Sequence, residues 1–332
     1  MSSAAPPSYS PTMVVDRAEN KAAAPRRNVL TIRELGHERL VRILRAANGY
    51  LDTPPEGDEL RGRSVGLLFF EDSTRTRVSF TAAAQRLGAH VLDLASGGSS
   101  MSKGETIADT ARTVAAIGVD AMVVRSRQAG GPGVAAAAVS SPVISAGDGR
   151  HAHPTQGMID VLAFARFVGR ADAFDLAGLR VAIVGDVLNS RVARSAVEAF
   201  SLLGASVVVV GPPAFAPPKL AALGCDVSND LDAELASCDS LMMLRVQVER
   251  HGGAGAPPGY RRGYALTSDR LAKLRPSTVV MHPGPMNRGV EIDGEAADGA
   301  RSLITEQVRC GVATRMATLV DVINGASEGG AP

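Results

Sequence analysis

Ser73-Thr74-Arg75-Thr76-Arg77 sets three hydroxyls and two guanidinium groups between an apolar run, Val65 to Phe70, and a helical pattern of Val78, Ala82, Ala83 and Leu87 that stops at Gly88. Hydroxyls, the open amides of a helix start and an arginine fork converge there on one point, which makes an anion site with phosphate as the first choice. Taken alone, the stretch fits a capped helix with solvated arginines better, and it is the rest of the chain that favours the anion site. Other groups suited to anions or amides stand in comparable places. Arg125 ends the strand-like run from Asp120. His153-Pro154-Thr155-Gln156 opens a helix after Gly147 and Gly149, and Arg191 follows the run Leu179 to Val184. Arg245-Val246-Gln247 ends another strand, and His282-Pro283-Gly284-Pro285 forms a proline-stiffened turn whose backbone carbonyls suit hydrogen-bond donors. Ser96 to Thr106 is a small-residue loop that delivers Lys103 just ahead of a helix.

The chemistry these groups share is anion handling. Two separated arginines, Arg191 and Arg245, suit a ligand with two carboxylates, each able to take a bidentate bond. No paired catalytic carboxylates, G-x-S-x-G elbow, Walker loop, G-x-G-x-x-G turn or H-E-x-x-H helix is present. Hydrolysis by a serine triad, nucleotide triphosphate chemistry, dinucleotide binding and zinc catalysis therefore lose their usual signals, and neither a metal nor a cofactor is expected. What uses every group is transfer of an acyl-like unit from a phosphate leaving group to a dicarboxylate.

Such a site needs strands to end at it and helices to begin at it. The chain has 332 residues, room for two domains of roughly 150 residues each. Apolar runs at 65–70, 89–94, 120–124 and 143–146, then at 179–184, 206–210, 240–244 and 278–281, alternate with helical patterns. That is the rhythm of two α/β units with parallel sheets, each doubly wound, linked by helices and with a ligand cleft between them. Thr31 to Glu34 has capping-box spacing, and Gly36 is an equally fair start for the first helix. Segment 249–263, rich in Gly, Pro and Arg, is expected to be a long polar loop acting as a lid. A net charge of +1 gives no reason to expect nucleic acid, and no apolar run approaches the ~20 residues that span a bilayer. Three widely spaced cysteines form neither a disulfide framework nor a metal motif, which favours the cytoplasm. Residues 1–27 lack a secretory apolar core and are expected to be a disordered extension.

Taken together and in order, Ser73 to Arg77, the Ser99 to Thr106 loop with its lysine, His153 to Gln156, Arg245 to Gln247 and His282 to Pro285 resemble the catalytic chains of the aspartate carbamoyltransferase family over about residues 28 to 325. The Ser-Thr-Arg-Thr element alone marks only the wider transcarbamoylases, ornithine enzymes included. Lys103 and Arg245-Val246-Gln247 favour aspartate, and an ornithine enzyme would be expected to carry a Cys in the late His-Pro region. The resemblance implies that Ser73, Thr74, Arg75 and Thr76 bind the phosphate of carbamoyl phosphate. Arg125, His153 and Thr76 would then polarise its carbonyl, and Gln156 with the carbonyls of Pro283 and Gly284 would hold its amide nitrogen. Lys103, Arg191, Arg245 and Gln247 would orient L-aspartate. It also implies a homotrimer in which Ser99 and Lys103 come from a neighbouring subunit, with regulatory chains or dihydroorotase as candidates for a higher assembly. The division it suggests is an extension at 1–27, a carbamoyl-phosphate domain at 28–158, an aspartate domain at 159–303 and a C-terminal helix at 304–325 returning to the first domain. Two other readings are a transcarbamoylase for another amine such as ornithine, and an inactive scaffold for a partner enzyme.

Overall fold

A computed structural model describes residues 27–94, 104–246 and 256–325. In its first half α1 (Ile32–Asp52), β1 (Ser64–Phe69), α2 (Thr74–Arg86), β2 (His90–Leu94), α3 (Ile107–Ile117), β3 (Ala121–Ser126), α4 (Gly131–Ala138) and β4 (Val143–Asp148) lead into α5 (Pro154–Phe167). The second half runs β5 (Arg180–Val184), α6 (Arg191–Leu202), β6 (Ser206–Val210), β7 (Asp226–Ser228), α7 (Leu231–Glu234), β8 (Ser240–Met243), α8 (Tyr260–Tyr264), α9 (Ser268–Lys273), β9 (Val279–Met281) and α10 (Gly294–Asp298). The last element, α11 (Ile304–Asn324), packs on α1, α2 and α5.

The strands form two parallel sheets, ordered β2-β1-β3-β4 and β7-β6-β5-β8-β9. This is the two-unit α/β architecture that the alternation predicts. In both sheets the order reverses around the strand entered first: β1 lies between β2 and β3, and β5 between β6 and β8. Loops leaving the two sides of such a reversal diverge, so a crevice opens beyond the carboxyl ends of the strands. β1 and β5 are almost wholly buried, as central strands covered on both faces must be.

Between the sheets lies α5, and nearly all of it is buried, including Met158, Ile159, Leu162 and Phe164. A helix apolar on every side has to be covered on every side. Here α1, α6 and α11 supply the cover, and Phe164 meets Phe200 of α6 edge to face with ring centroids 5.8 Å apart. One apolar core thereby runs from α1 and α2 through α5 into β5 and β6.

Both readings of the first helix start hold. Thr31 caps α1 by accepting the Glu34 amide at 3.1 Å, and Gly36, at φ 69°, kinks the helix where the alternative start was placed. One segment goes beyond the sequence reading and another differs from it. Residues 131–138 form the short helix α4, its proline placed in the first turn where the missing amide costs nothing. Within 249–263, Tyr260–Tyr264 is helical and not lid loop, because Tyr260 is buried against Phe215 and Val246 and so anchors the segment. Residues 249–255 of that segment, and residues 1–26 of the expected extension, lie outside the described residues.

The crossing of α5 and α6 is tight. A methyl group at Gly157 would sit 2.6 Å from the Ser195 carbonyl oxygen of α6, and Ser195 Oγ also accepts the His153 amide at 2.9 Å. Gly157→Ala is therefore expected to destabilise the chain by about 1–3 kcal/mol in a denaturant titration and to lower activity as well.

Candidate active site

Facing the crevice between the sheets is a cleft of about 1110 Å³, lined from both halves of the chain. Helices that begin at it include α2 with Ser73 to Thr76, α5 with His153 and Gln156, and α6 with Ser190 and Arg191. Each presents amides that have no acceptor within the helix and the positive end of its dipole. Ser190 caps α6 in the ordinary way, accepting from the Ala193 amide at 3.1 Å. Ser73 and His153 occupy the corresponding positions of α2 and α5 without a side-chain capping bond. The plain capping account of Ser73 thus loses its bond, and its hydroxyl lines the cleft.

Of the two arginines in the opening motif, only Arg75 reaches the cleft. Arg77 is tied outside it, 3.1 Å from Asp93 and 5.4 Å above the Phe69 ring. Helical geometry separates them, since residues two apart lie on different faces. Burial, then the nearby charge of Arg245, holds the Arg75 guanidinium below its ordinary pKa. Gly284 packs on Arg75 with a φ of 63°, and a methyl group there would lie 3.3 Å from its Nη1. An L side chain would be strained in that backbone and crowded by the guanidinium.

Arg125 stands at the carboxyl end of β3, an inner strand of the first sheet, and donates to the Ala146 carbonyl at 3.1 Å. Arg191 is buried at the start of α6, where it donates to Gly149 O at 3.0 Å. Glu71 joins the two: its Oε2 accepts from Arg191 Nη1 and Nη2, each at 3.0 Å, and lies 3.3 Å from Arg125 Nε. Glu71 carried no signal of its own in the sequence beyond its place at the end of a strand. Arg315 of α11 is another missed group. It lines the same cleft, donates to Ser79 Oγ at 2.9 Å, lies over the Phe80 ring, and is pushed down to about 10 by burial.

His153 is buried, and its pKa lies well below the usual value, first through desolvation and then through the charges of Arg191, Arg125 and Arg315. A neutral imidazole in this place is a hydrogen-bonding group and not a cation. Gln156 donates from Nε2 to Asp160 Oδ1 at 2.8 Å, and Gln307 of α11 does the same at 2.8 Å. Arg245, Pro283 and Gly284 complete the lining from the second sheet.

Ser73, Thr74, Arg75, Thr76, Arg125, His153, Gln156, Arg191, Arg245, Pro283 and Gly284 are thus brought to one cleft. Ser99, Lys103 and Gln247 lie outside the described residues. Among the described residues no group of three or more His, Cys, Asp or Glu side chains is arranged to hold a metal ion. Likewise no described helix is long and apolar enough to cross a membrane.

Two family models match the chain: the carbamoyl-phosphate-binding domain of aspartate/ornithine carbamoyltransferase over residues 27–166, and the Asp/Orn-binding domain over residues 177–322. The aspartate carbamoyltransferase catalytic subunit of Beutenbergia cavernae is 47% identical over 91% of this chain and 95% of its own. That of Gluconacetobacter diazotrophicus is also 47% identical, over 93% and 98%. Among solved structures, ornithine carbamoyltransferase from Thermus thermophilus superposes with a TM-score of 0.79 at 26% identity, covering 89% of this chain and 98% of that one. Aspartate transcarbamoylase from Trypanosoma cruzi, in complex with carbamoyl phosphate and aspartate, gives 0.78 at 27% identity over 91% and 98%.

Buried Asp160 supplies a pH test of the site's electrostatics. Burial raises its pKa to about 7, opposed by the bonds from Gln156 and Gln307. A carboxyl that is more basic when folded contributes stability below its unfolded pKa near 3.8 and loses it as the pH climbs through about 7. Relative to Asp160→Asn, which cannot ionise, the wild-type protein is expected to lose stability on the order of 4 kcal/mol between pH 4 and 7.5, read by denaturant titration across that range.

Proposed function

The chain belongs to the aspartate/ornithine carbamoyltransferase family, and we propose that it transfers the carbamoyl group of carbamoyl phosphate to the α-amine of L-aspartate, an early step of pyrimidine synthesis. The observation that carries this reading is the division of one cleft: a phosphate-type anion site on the first sheet faces Arg191 and Arg245 from the second. The fold does not choose the amine, since an ornithine enzyme superposes as well as an aspartate one. Sequence relatives favour aspartate, and so do the arginines, which match a dicarboxylate and repel a cationic side chain.

In this reading the groups divide the work. Ser73, Thr74, Arg75 and Thr76, with the amides of α2, bind the phosphate. Thr76, Arg125 and neutral His153 donate toward the carbonyl oxygen and stabilise the oxyanion that develops there. Gln156 and the carbonyls of Pro283 and Gly284 accept from the carbamoyl NH2. Arg191, Arg245 and Gln247 hold the aspartate carboxylates, and an incoming carboxylate shares Arg191 with Glu71.

The deprotonated amine adds its lone pair to the carbamoyl carbon. The tetrahedral intermediate then collapses, its carbon–oxygen bond to phosphate breaks, and the electron pair leaves with the phosphate. The surplus amine proton passes to that phosphate, the strongest base beside it, because His153 is held among arginines and Glu71 is engaged by two of them. We further propose a homotrimer in which Ser99 and Lys103 of one chain complete the site of its neighbour. A cytoplasmic location accords with three buried free thiols.

Steady-state assays test the reading. Carbamoyl phosphate with aspartate is expected to outpace carbamoyl phosphate with ornithine by about 1,000-fold or more in kcat/KM, and a preference for ornithine would overturn it. Arg75→Ala is expected to reduce kcat/KM by about 100- to 10,000-fold, whereas unchanged kinetics would remove the phosphate assignment. For the shared site, chains carrying Arg75→Ala and chains carrying Lys103→Ala are mixed and reassembled. Activity recovered above either parent is the expected result, and none in verified mixed trimers would rule sharing out.

A further inference from the structure

We propose that Asp160, which touches no substrate, is a positioning residue that fixes the Gln156 amide with its oxygen toward the cleft and so makes the site selective for a carbamoyl group over its methyl counterpart. The inference rests on the reaction proposed above and adds to it a device for recognising the NH2 group.

One group in the series cannot be reversed. The backbone amide of His282 is a donor only, and it donates to Gln307 Oε1 at 2.9 Å. That bond turns the Gln307 side chain so that its NH2 faces away from His282. It donates to Asp160 Oδ1 at 2.8 Å, which makes Oδ1 an acceptor whether or not the carboxyl is protonated at Oδ2. Gln156 meets the same Oδ1 at 2.8 Å and must present its NH2 there as well. Its remaining polar atom, Oε1, is left as an acceptor at the cleft wall. An isolated glutamine amide has no such preference, since its two ends are nearly the same shape. Here each link has one permitted sense, and the sense is set at a peptide bond.

The same chain of bonds also fixes the turn that supplies the other acceptors. His282 is fully buried; its amide is held by Gln307, and its Nδ1 accepts the Gly284 amide at 2.8 Å. Because the Gly284 amide and the Pro283 carbonyl share one peptide plane, these bonds orient the Pro283 carbonyl together with the oxygen of Gln156, although the two come from different halves of the chain. Acceptors gathered at one cleft wall welcome an NH2 group and leave a methyl group unbonded. Asp160 is a buried acid in the linking helix with no ion-pair partner among the described residues, and this orienting task accounts for its presence there.

The test compares carbamoyl phosphate with acetyl phosphate, in which CH3 stands in place of NH2. Asp160→Leu keeps the shape of the carboxyl and removes the acceptor. It is expected to lower kcat/KM for carbamoyl phosphate by about 10- to 100-fold and to leave the inhibition constant of acetyl phosphate within about threefold. Asp160→Asn, which still offers an oxygen at the same place, is expected to recover most of the loss. In a Gln156→Leu background, Asp160→Leu should add less than about twofold, as two residues acting in series require. Gln307→Leu breaks the same series from its other end; should Asp160→Leu fail to fold, it is expected to show the same selective loss. Equal losses for both phosphates, or losses that multiply with Gln156→Leu, would overturn the proposal. Wild-type protein that does not carbamoylate aspartate would instead overturn the reaction assignment, and Gln156→Leu with wild-type kinetics would overturn the role of Gln156.

Discussion

Like charges repel, and among the described residues seven arginines line the cleft against two acidic residues, Glu71 and Asp72. In a partly desolvated space that excess is unfavourable unless each guanidinium is held and a counter-anion is accommodated. Much of the local structure is arranged around that constraint. Glu71 pairs with Arg125 and Arg191, backbone carbonyls receive the same two side chains, and Arg315 is stacked on an aromatic ring beside a serine hydroxyl. The net positive charge of the described lining, with the N-termini of α2, α5 and α6 added to it, is the attraction that a doubly charged phosphate and a dicarboxylate answer.

The same field governs the neutral groups. His153 sits among Arg125, Arg191 and Arg315 in a buried position, so it stays unprotonated and acts through hydrogen bonding. Asp160 lies deeper, behind Gln156, and is held by amides where the cleft side chains are held by charge. The site therefore has two layers with different chemistry. In the proposed reaction, charge attracts and positions the ionic ends of the substrates, and a hydrogen-bond series behind it orients the acceptors for the one uncharged amide.

Much of this was legible in the chain. Alternating apolar runs disclosed two parallel sheets because a buried parallel strand has to be continuously apolar, and the ends of those runs located Arg125, Arg191 and Arg245. The types and order of residues from Ser73 to Pro285 pointed to the reaction. What escaped reading were interactions between residues far apart in sequence. Arg75 and Arg77 look alike in a string of letters, and only the turn of α2 and the position of Asp93 separate their fates. Glu71 and Arg191 are 120 residues apart, and Asp160 and Gln307 are 147 apart. A lone glutamate at a strand end or a lone aspartate in an apolar helix gives no hint of its partner. The helix at Tyr260 escaped for a related reason, since its anchor is packing against Phe215 and Val246, and its composition is that of a loop.

The central claim is that groups from the two sheets form one site spanned by a phosphate and a dicarboxylate together. Calorimetric titration with a bisubstrate analogue, a phosphonate joined through a short amide to aspartate, tests it most directly. The account predicts an affinity at least about 100-fold tighter than that of phosphate or aspartate alone, weakened both by Arg75→Ala and by Arg245→Ala. An analogue that binds no tighter than its separate halves, or that responds to only one of the two substitutions, would contradict it.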